Sequence, residues 1–182
     1  HGKIVKAARS ALGVDIDVNQ LKELSDLGYN VAHIDELTDD VRYDIIVIGD
    51  VIEHVDNVRI FLESYKSKCK ENGLILISTP NPQNIELNFD ILFKGIPTIN
   101  SEHTNYIDPL NLFEQIRRIR GLNIENFVWV DFIKRKGLKW KIFHPLCRLL
   151  ARFRPYFYPS YVVAVRVCHS DSNNINEKPL LG

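Results

Sequence analysis

The chain of 182 residues contains no methionine, only three cysteines, and no apolar run near the roughly 20 residues a membrane-spanning helix needs. Cys69, Cys147 and Cys168 form no CxxC pair and leave an odd thiol. That excludes a disulfide-stapled scaffold and fits a reducing, cytoplasmic setting. A signal-peptide pattern is also missing, because Lys3, Lys6 and Arg9 interrupt any apolar stretch at the start. With His1-Gly2-Lys3 in place of an initiating methionine, the chain reads as a fragment whose natural start lies upstream. Acidic side chains are absent from residues 134–166, which hold nine Lys and Arg. Residues 1–133 hold 13 basic against 21 acidic side chains, a net −8, so the overall balance of 23 against 23 conceals an acidic body and a basic segment. A general nucleic-acid binder is more often basic throughout. What remains, 45% hydrophobic and 25% charged, is the composition of an ordinary soluble domain with enough chain to bury a core.

The first half alternates short apolar runs with helical patterns. Strands are expected over Ala11–Ile16, Tyr29–Ile34 and Tyr43–Gly49, and from Leu74 to Ser78 after an Asn72-Gly73 turn. Tyr43–Gly49 is nearly all apolar, as a strand buried on both faces should be. Helices are expected over Val18–Leu27, ended by Gly28, and over Asn57–Cys69, with Val58, Phe61, Leu62 and Tyr65 on one stripe. Strand–helix alternation of this kind predicts a parallel sheet covered by helices. Beyond Pro82 the pattern changes. Residues 82–103 read as a long loop or lid around Ile91-Leu92-Phe93, followed by a helix over Asp108–Arg120 closed by Gly121. A long strand is expected over Leu122–Ile133 and a last one over Tyr161–Val167. The tail from His169 to Gly182 is polar and reads as disordered.

Ligands of open parallel sheets sit at the carboxyl ends of the strands. Asp15 ends the first strand, where a carboxylate can accept both hydroxyls of a ribose; Asp15 or Asp17 serves equally as the cap of the helix that follows. Asp35 and Glu36 follow the next strand, where a carboxylate can accept from an adenine amino group. The third strand runs into Asp50-Val51-Ile52-Glu53-His54. On a helical turn Asp50, Glu53 and His54 share a face, which suits a divalent ion or an acid–base group. The same spacing also suits a helix capping box with an ordinary hydrogen-bonded histidine.

Taken together, these segments resemble the class I S-adenosylmethionine-dependent methyltransferases. Leu12 to Asp17 is similar to their second strand with its ribose-binding acid, and Ile34-Asp35-Glu36-Leu37 to the adenine-contacting segment. Tyr43 to Val55 is similar to the fourth strand and its loop, Asn72 to Asn81 to the fifth, and Glu102-His103-Thr104-Asn105-Tyr106 to a frequent pattern before the next helix. The resemblance covers residues 3–133 and the last strand. It implies a Rossmann-like, mainly parallel α/β sheet of seven strands with an antiparallel last strand. The first strand and its glycine-rich loop, the sheet's centre in this family, are expected upstream of residue 1, so the strands around Val14 and Val47 should face a gap. It also implies S-adenosylmethionine as cofactor, with Asp15 on the ribose, Ile16 on the purine, Asp35 and Glu36 near the adenine, and Asp50 beside the methionine portion.

The acceptor is less defined. The Asn/Asp-Pro-Pro-aromatic loop of enzymes that methylate DNA bases is not present after the third strand, where Gly49-Asp50-Val51-Ile52 stands instead, so DNA is not expected. Asp50-x-x-Glu53-His54 with His103 is similar to the site of two O-methyltransferase groups, one acting in ubiquinone synthesis and one on the 2′-hydroxyl of small RNAs. By that resemblance Asp50, Glu53, His54 and His103 are candidate ligands of a divalent metal, and His54, Glu53 and His103 candidate catalytic residues. From Lys134 to Tyr158 basic residues interleave with Trp140, Phe143, Phe153, Tyr156, Phe157 and Tyr158, and Leu146, Leu149, Leu150 and Phe153 fall on one helix face. This segment suits an anionic membrane surface, at the inner face of the membrane, or a lipid-linked acceptor. RNA is the competing partner; simple packing of the aromatics on the sheet is the bland alternative. The expected division is a core over 1–133, a basic aromatic segment and final strand over 134–168, and the tail. The expected function is O-methylation of a small-molecule or lipid-linked glycan hydroxyl, with RNA 2′-O-methylation, a nucleotide-cofactor dehydrogenase and a non-catalytic methyltransferase-like module as alternatives.

Overall fold

A computed structural model describes residues 2–98, 100–132 and 138–168, with the side chains of 2, 3, 138–140 and 142 excepted. The chain forms two compact units, His1–Val41 and Arg42–Gly182. The final strand threads between two other strands of the second unit's sheet.

The first unit is small. A short helix α1 (Gly2–Ala7) precedes strand β1 (Gly13–Asp15), helix α2 (Val18–Asp26) and strand β2 (Val31–His33). The strands pair in parallel, Gly13 opposite Val31 and Asp15 opposite His33. Asp17 starts α2: its carboxylate accepts from Asn19 N and Gln20 N at 2.9 and 3.3 Å. Those N–H groups, Gln20 first, hold the carboxyl below its usual range. Gly28, at φ +84°, turns the chain toward β2 in a conformation that favours glycine. Leu21 is the buried hydrophobic residue here.

The second unit carries strand β3 (Tyr43–Gly49), helix α3 (Val58–Lys68), strand β4 (Cys69–Pro80), helix α4 (Ile85–Lys94), helix α5 (Pro109–Arg117), strand β5 (Leu122–Val130), helix α6 (Leu138–Phe153) and strand β6 (Ser160–Val167). The sheet order is β3, β4, β6, β5. β3 and β4 are parallel, and β6 runs antiparallel to both β4 and β5. Thus the described residues form six strands in sheets of two and four; the last strand, β6, is antiparallel as the resemblance implies, and β3 and β5 are the edges of the larger sheet.

One face of this sheet makes the core. Ile75, Ile77, Tyr161, Val163 and Val165 project from it onto Val58 and Leu62 of α3 and Leu112 and Ile116 of α5. The side-chain period of two explains why alternate residues of β6 are buried. β3 departs from the expected double burial. Ile48 is buried and Ile46 packs on the core, but Ile45 and Val47 point the other way and are 56% and 47% exposed. Among the described residues β3 pairs only with β4 and β1 only with β2. Before Leu74 the Asn72-Gly73 turn lies inside β4: Tyr43 faces Cys69 but Ile45 faces Leu74, so residues 70–73 bulge out of the ladder. Asn72 has φ +59°, and a Cβ on Gly73 would stand 2.6 Å from Cys69 Sγ.

Ten residues of the expected lid form a helix, α4. Asn84 caps α4 by accepting from Leu87 N at 3.0 Å, and Gly95 ends it in the left-handed conformation at φ +78°. α4 and α6 pack together around a second apolar cluster of Ile85, Phe132, Cys147 and Ala151, edged by Phe89 and Phe143. Burial, and then the charge of Glu86, pushes the Cys147 thiol up to about 11, so it behaves as an inert core residue. The expected strand over Leu122–Ile133 stops at Val130; Ile133, Lys134, Arg135, Lys136 and the tail lie outside the described residues.

Candidate active site

The predicted site residues other than His103 lie at or just beyond a strand end, and His103 lies in the loop between α4 and α5. In the first unit Asp15 closes β1, where Ile16 N and Asp17 N donate to its Oδ1 at 2.7 and 3.0 Å. Both bonds fall on one oxygen, so Oδ2 has no hydrogen-bond partner among the described residues, and Ile16 beside it is 72% exposed. Capping falls to Asp17 rather than Asp15. Asp35 and Glu36 lie in a short 3-10 turn after β2. Glu36 turns back to accept from His33 N at 3.2 Å, completing a capping box, whereas Asp35 is open to solvent beside the His33 ring.

In the second unit Asp50 follows β3 with φ +52°, left-handed backbone that Asp tolerates better than most side chains. Ser78 Oγ donates to its Oδ1 at 3.1 Å, and Asp50 N donates to Ser78 O at 3.0 Å. This turns Asp50 toward the end of β4. The helical face expected to unite Asp50, Glu53 and His54 does not form, because only Ile52–His54 makes a turn, of 3-10 type. Asp50 accordingly stands apart from the cluster that does form among the described residues: ligand atoms of Glu53, His54 and His103 lie within 4.8 Å of one another.

Three kinds of contact build that cluster. Glu53 is 3% exposed and accepts a hydrogen bond from Thr79 Oγ1 at 3.0 Å. Its backbone carbonyl accepts from Thr104 N and Asn105 N at 2.9 and 3.0 Å, and Asn105 Nδ2 donates to Val55 O. Residues 102–105 are thereby clamped onto the turn after β3, which carries the His103 ring to within 4.8 Å of the His54 ring, edge to face. His54 Nδ1 lies 3.0 Å from Glu102 O. A carbonyl only accepts, so Nδ1 is the donor, and in the neutral ring Nε2 then keeps its lone pair. Buried Tyr161 donates from its hydroxyl to Ile107 O at 2.7 Å and anchors the far end of the same loop. Sequence reading missed Thr79, Thr104, Asn105 and Tyr161. Thr104 and Asn105 lie within a motif it quoted, but their partners are about fifty residues away.

Glu53 and His103 open onto a cavity of about 930 Å³ in the second unit. Phe89, Phe93, Phe132, Phe143 and Leu146 supply its apolar walls, and Asn81 its floor at the end of β4. Asn81 is fully buried and donates from Nδ2 to Tyr156 O and Tyr158 O at 2.7 and 2.8 Å, tying the segment after α6 to β4.

A four-stranded sheet with one antiparallel strand set beside its edge, and polar groups gathered at the strand ends, is the arrangement of Rossmann-like class I methyltransferases. The chain belongs to the methyltransferase domain family, whose profile matches residues 4–126. It is similar to the ubiquinone biosynthesis O-methyltransferase of Rickettsia prowazekii (strain Madrid E), 28% identical over 108 residues that cover 53% of this chain and 43% of the relative. The protein of the same name from Rickettsia canadensis (strain McKiel) is 26% identical over 121 residues, 64% of this chain and 50% of the relative. The chain spans half the length of these curated relatives or less. Among solved structures it resembles a SAM-dependent methyltransferase from Archaeoglobus fulgidus, with TM-score 0.56, 20% identity, and 90% and 79% of the two chains covered. It also resembles the magnesium protoporphyrin IX methyltransferase of Synechocystis PCC 6803 with bound SAH, at TM-score 0.62, 12% identity, and 91% and 67% coverage. Likeness at such identities establishes the fold. Among the described residues no helix is long and apolar enough to cross a membrane.

Proposed function

We propose that this chain is the methyl-transferring part of an S-adenosylmethionine-dependent O-methyltransferase whose acceptor is a hydroxyl of a small molecule or lipid-linked glycan. The observation that carries the reading is the Glu53–His54–His103 cluster, two of whose members face a large, mostly apolar cavity. The ubiquinone-pathway O-methyltransferases named above point the same way.

S-adenosylmethionine, when bound, supplies the methyl group on a positively charged sulfur. Asp15 suits its ribose through the open Oδ2, and Ile16 offers an exposed apolar surface for the purine. Asp35 remains available for the adenine amino group, and Asp50 for the methionine portion. Glu36 is engaged by its own backbone. Transfer needs the acceptor oxygen aligned with the methyl, so positioning contributes most of the acceleration. His103, which lines the cavity, or His54 at its ring edge takes the hydroxyl proton as transfer proceeds. Glu53, held by Thr79 and by the clamp of residues 102–105, fixes where both rings stand.

A divalent ion is the second reading. One carboxylate and two imidazoles within 4.8 Å form a donor set that suits a borderline ion, and the Glu102 carbonyl on His54 Nδ1 is the kind of support a metal-bound imidazole receives. Glu53, His54 and His103 would hold it, without Asp50. A bound ion would lower the pKa of an acceptor hydroxyl.

The test is calorimetric titration of S-adenosylhomocysteine, with NAD as control, into the longest natural form of the protein. Binding of the methyltransferase product but not NAD, lost in Asp15→Ala, is expected. Binding of NAD alone, or of neither, overturns the reading. Repeating the titration with Mn²⁺, Mg²⁺ or Zn²⁺ present decides the second reading: ion binding lost in His103→Ala supports it, and no ion binding removes it. In turnover with a responsive acceptor, His54→Ala should slow transfer about 10²- to 10⁴-fold.

A further inference from the structure

We infer that the C-terminal end of α4 and the outer face of α6 form one docking surface for an anionic lipid bilayer, and that the cavity of the proposed site opens through it. α6 divides into three strips. Phe143, His144, Cys147 and Ala151 face inward. Leu146, Leu149 and Phe153, at i, i+3 and i+7, form a second strip and are 49%, 53% and 68% exposed. Lys141, Arg148 and Arg152, at i, i+7 and i+11, form a third strip bordering the second.

α4 continues the apolar surface. Its Phe89 packs on Phe143 of α6 at 5.3 Å between ring centroids, and Phe93 stacks on Phe89 at 5.9 Å. Leu92 and Phe93, with Ile96 just past the helix, are 70–78% exposed. Phe93 and Leu146 both line the cavity while remaining largely in solvent, so they stand at its rim. Two helices in mutual contact thus present bulky apolar side chains around one opening, which is more than scattered surface residues would do.

Charge identifies the occupant. Residues 138–159 contain five Lys and Arg and no acidic residue. Two nearby carboxylates are neutralised, Asp90 by Lys94 at 2.7 Å and Asp131 by Arg148 at 3.0 Å, and the Glu86 carboxylate lies 3.2 Å from the buried His144 ring. Exposed Arg152 and Arg154 have no carboxylate partner among the described residues. An apolar strip edged by uncommitted cations is the pattern of a helix lying in the headgroup region, where the apolar face enters the acyl boundary and the cations meet lipid phosphates. A soluble protein partner with an acidic rim is the competing occupant. The breadth of the apolar rim and its opening into a cavity of about 930 Å³ favour lipid. Docking is independent of methyl transfer. Entry of an acceptor from the bilayer through the rim rests on the function proposed above.

Co-sedimentation of the full chain with vesicles tests the inference, using phosphatidylcholine alone and phosphatidylcholine mixed with phosphatidylglycerol. Binding to the anionic vesicles at least about tenfold tighter than to the neutral ones, weakening with salt, is expected. Leu92→Ser/Leu149→Ser/Phe153→Ser, none of which lines the cavity, should abolish binding. Arg152→Glu/Arg154→Glu should remove the anionic preference. Both variants should melt like the parent and retain its S-adenosylhomocysteine affinity, which separates docking from folding and from the cofactor reading. Equal binding to both vesicles, no binding, or binding unaffected by either variant overturns the inference. So does a dimer in vesicle-free solution that the triple variant dissolves, which would assign the face to a second copy of the chain.

Discussion

The two units are held together by different physics. In the first, two three-residue strands and a nine-residue helix surround Leu21, the single buried side chain among the unit's described residues, and local hydrogen bonds from Asp17, Glu36 and the turn at Gly28 provide the order. In the second, four strands and two helices bury a continuous cluster running from Ile48 to Val167. Its site loop is fixed by partners about fifty residues distant. The carboxylates suited to a ribose and an adenine therefore sit on the locally ordered unit, and the candidate acid–base cluster on the cooperatively packed one. Low local stability is common where a ligand completes the order, whereas a base and its acceptor need fixed positions.

Core truncation should expose the contrast most strongly. Ile75→Ala in the second unit should cost about 2–5 kcal/mol in denaturant unfolding. Leu21→Ala should cost less, because that side chain lacks a surrounding core, and its effect should appear as faster amide exchange confined to residues 13–33. Equal costs would abolish the distinction between the units.

A smaller loss is expected for Tyr161→Phe, which leaves the Ile107 carbonyl without its donor and should cost about 1–3 kcal/mol. Burial first, then the charge of Asp108, raises the pKa of this phenol far above its ordinary 10.0. A raised phenol favours folding fully below the unfolded value and loses that contribution as pH rises beyond it. Alkaline unfolding above pH 10.0 should therefore be blunted in the variant. An unchanged alkaline limb would show that the hydroxyl does not anchor the loop.

The smallest effect belongs to Asp17→Ala. The carboxyl of Asp17 lies below its ordinary 3.8, so its contribution is present above that value and lost as pH falls through the lower folded value. In NMR spectra α2 should fray on acidification while the second unit's signals stay put, and Asp17→Ala should reproduce the frayed state at neutral pH. Melting of both units together would mean that they unfold as one.

Much of this was legible in the sequence because it is local. β3 covers the expected Tyr43–Gly49, and α3 lies within the expected Asn57–Cys69, with Val58 and Leu62 buried as the stripe requires. The strand-end placement of Asp15, Asp35 and Asp50 follows from the same alternation. α4 was hidden behind Pro80 and Pro82, which read as loop, although Asn84 and Gly95 supply both of its caps. The companionship of His54 and His103 was legible only through family resemblance. Its cause, Thr104 and Asn105 bonding to Glu53 and Val55, is a long-range register that no local pattern encodes. Asp50 left the expected cluster because one left-handed backbone step and a bond from Ser78 outweigh helical spacing.

β3 has one further consequence. Among the described residues its backbone is paired on one side, with β4, and its second face carries exposed Ile45 and Val47. An open ladder beside an apolar face is a template that recruits any extended strand of matching length. Held at high concentration, this stretch of chain should grow edge to edge into cross-β aggregates, unless another strand occupies that ladder first.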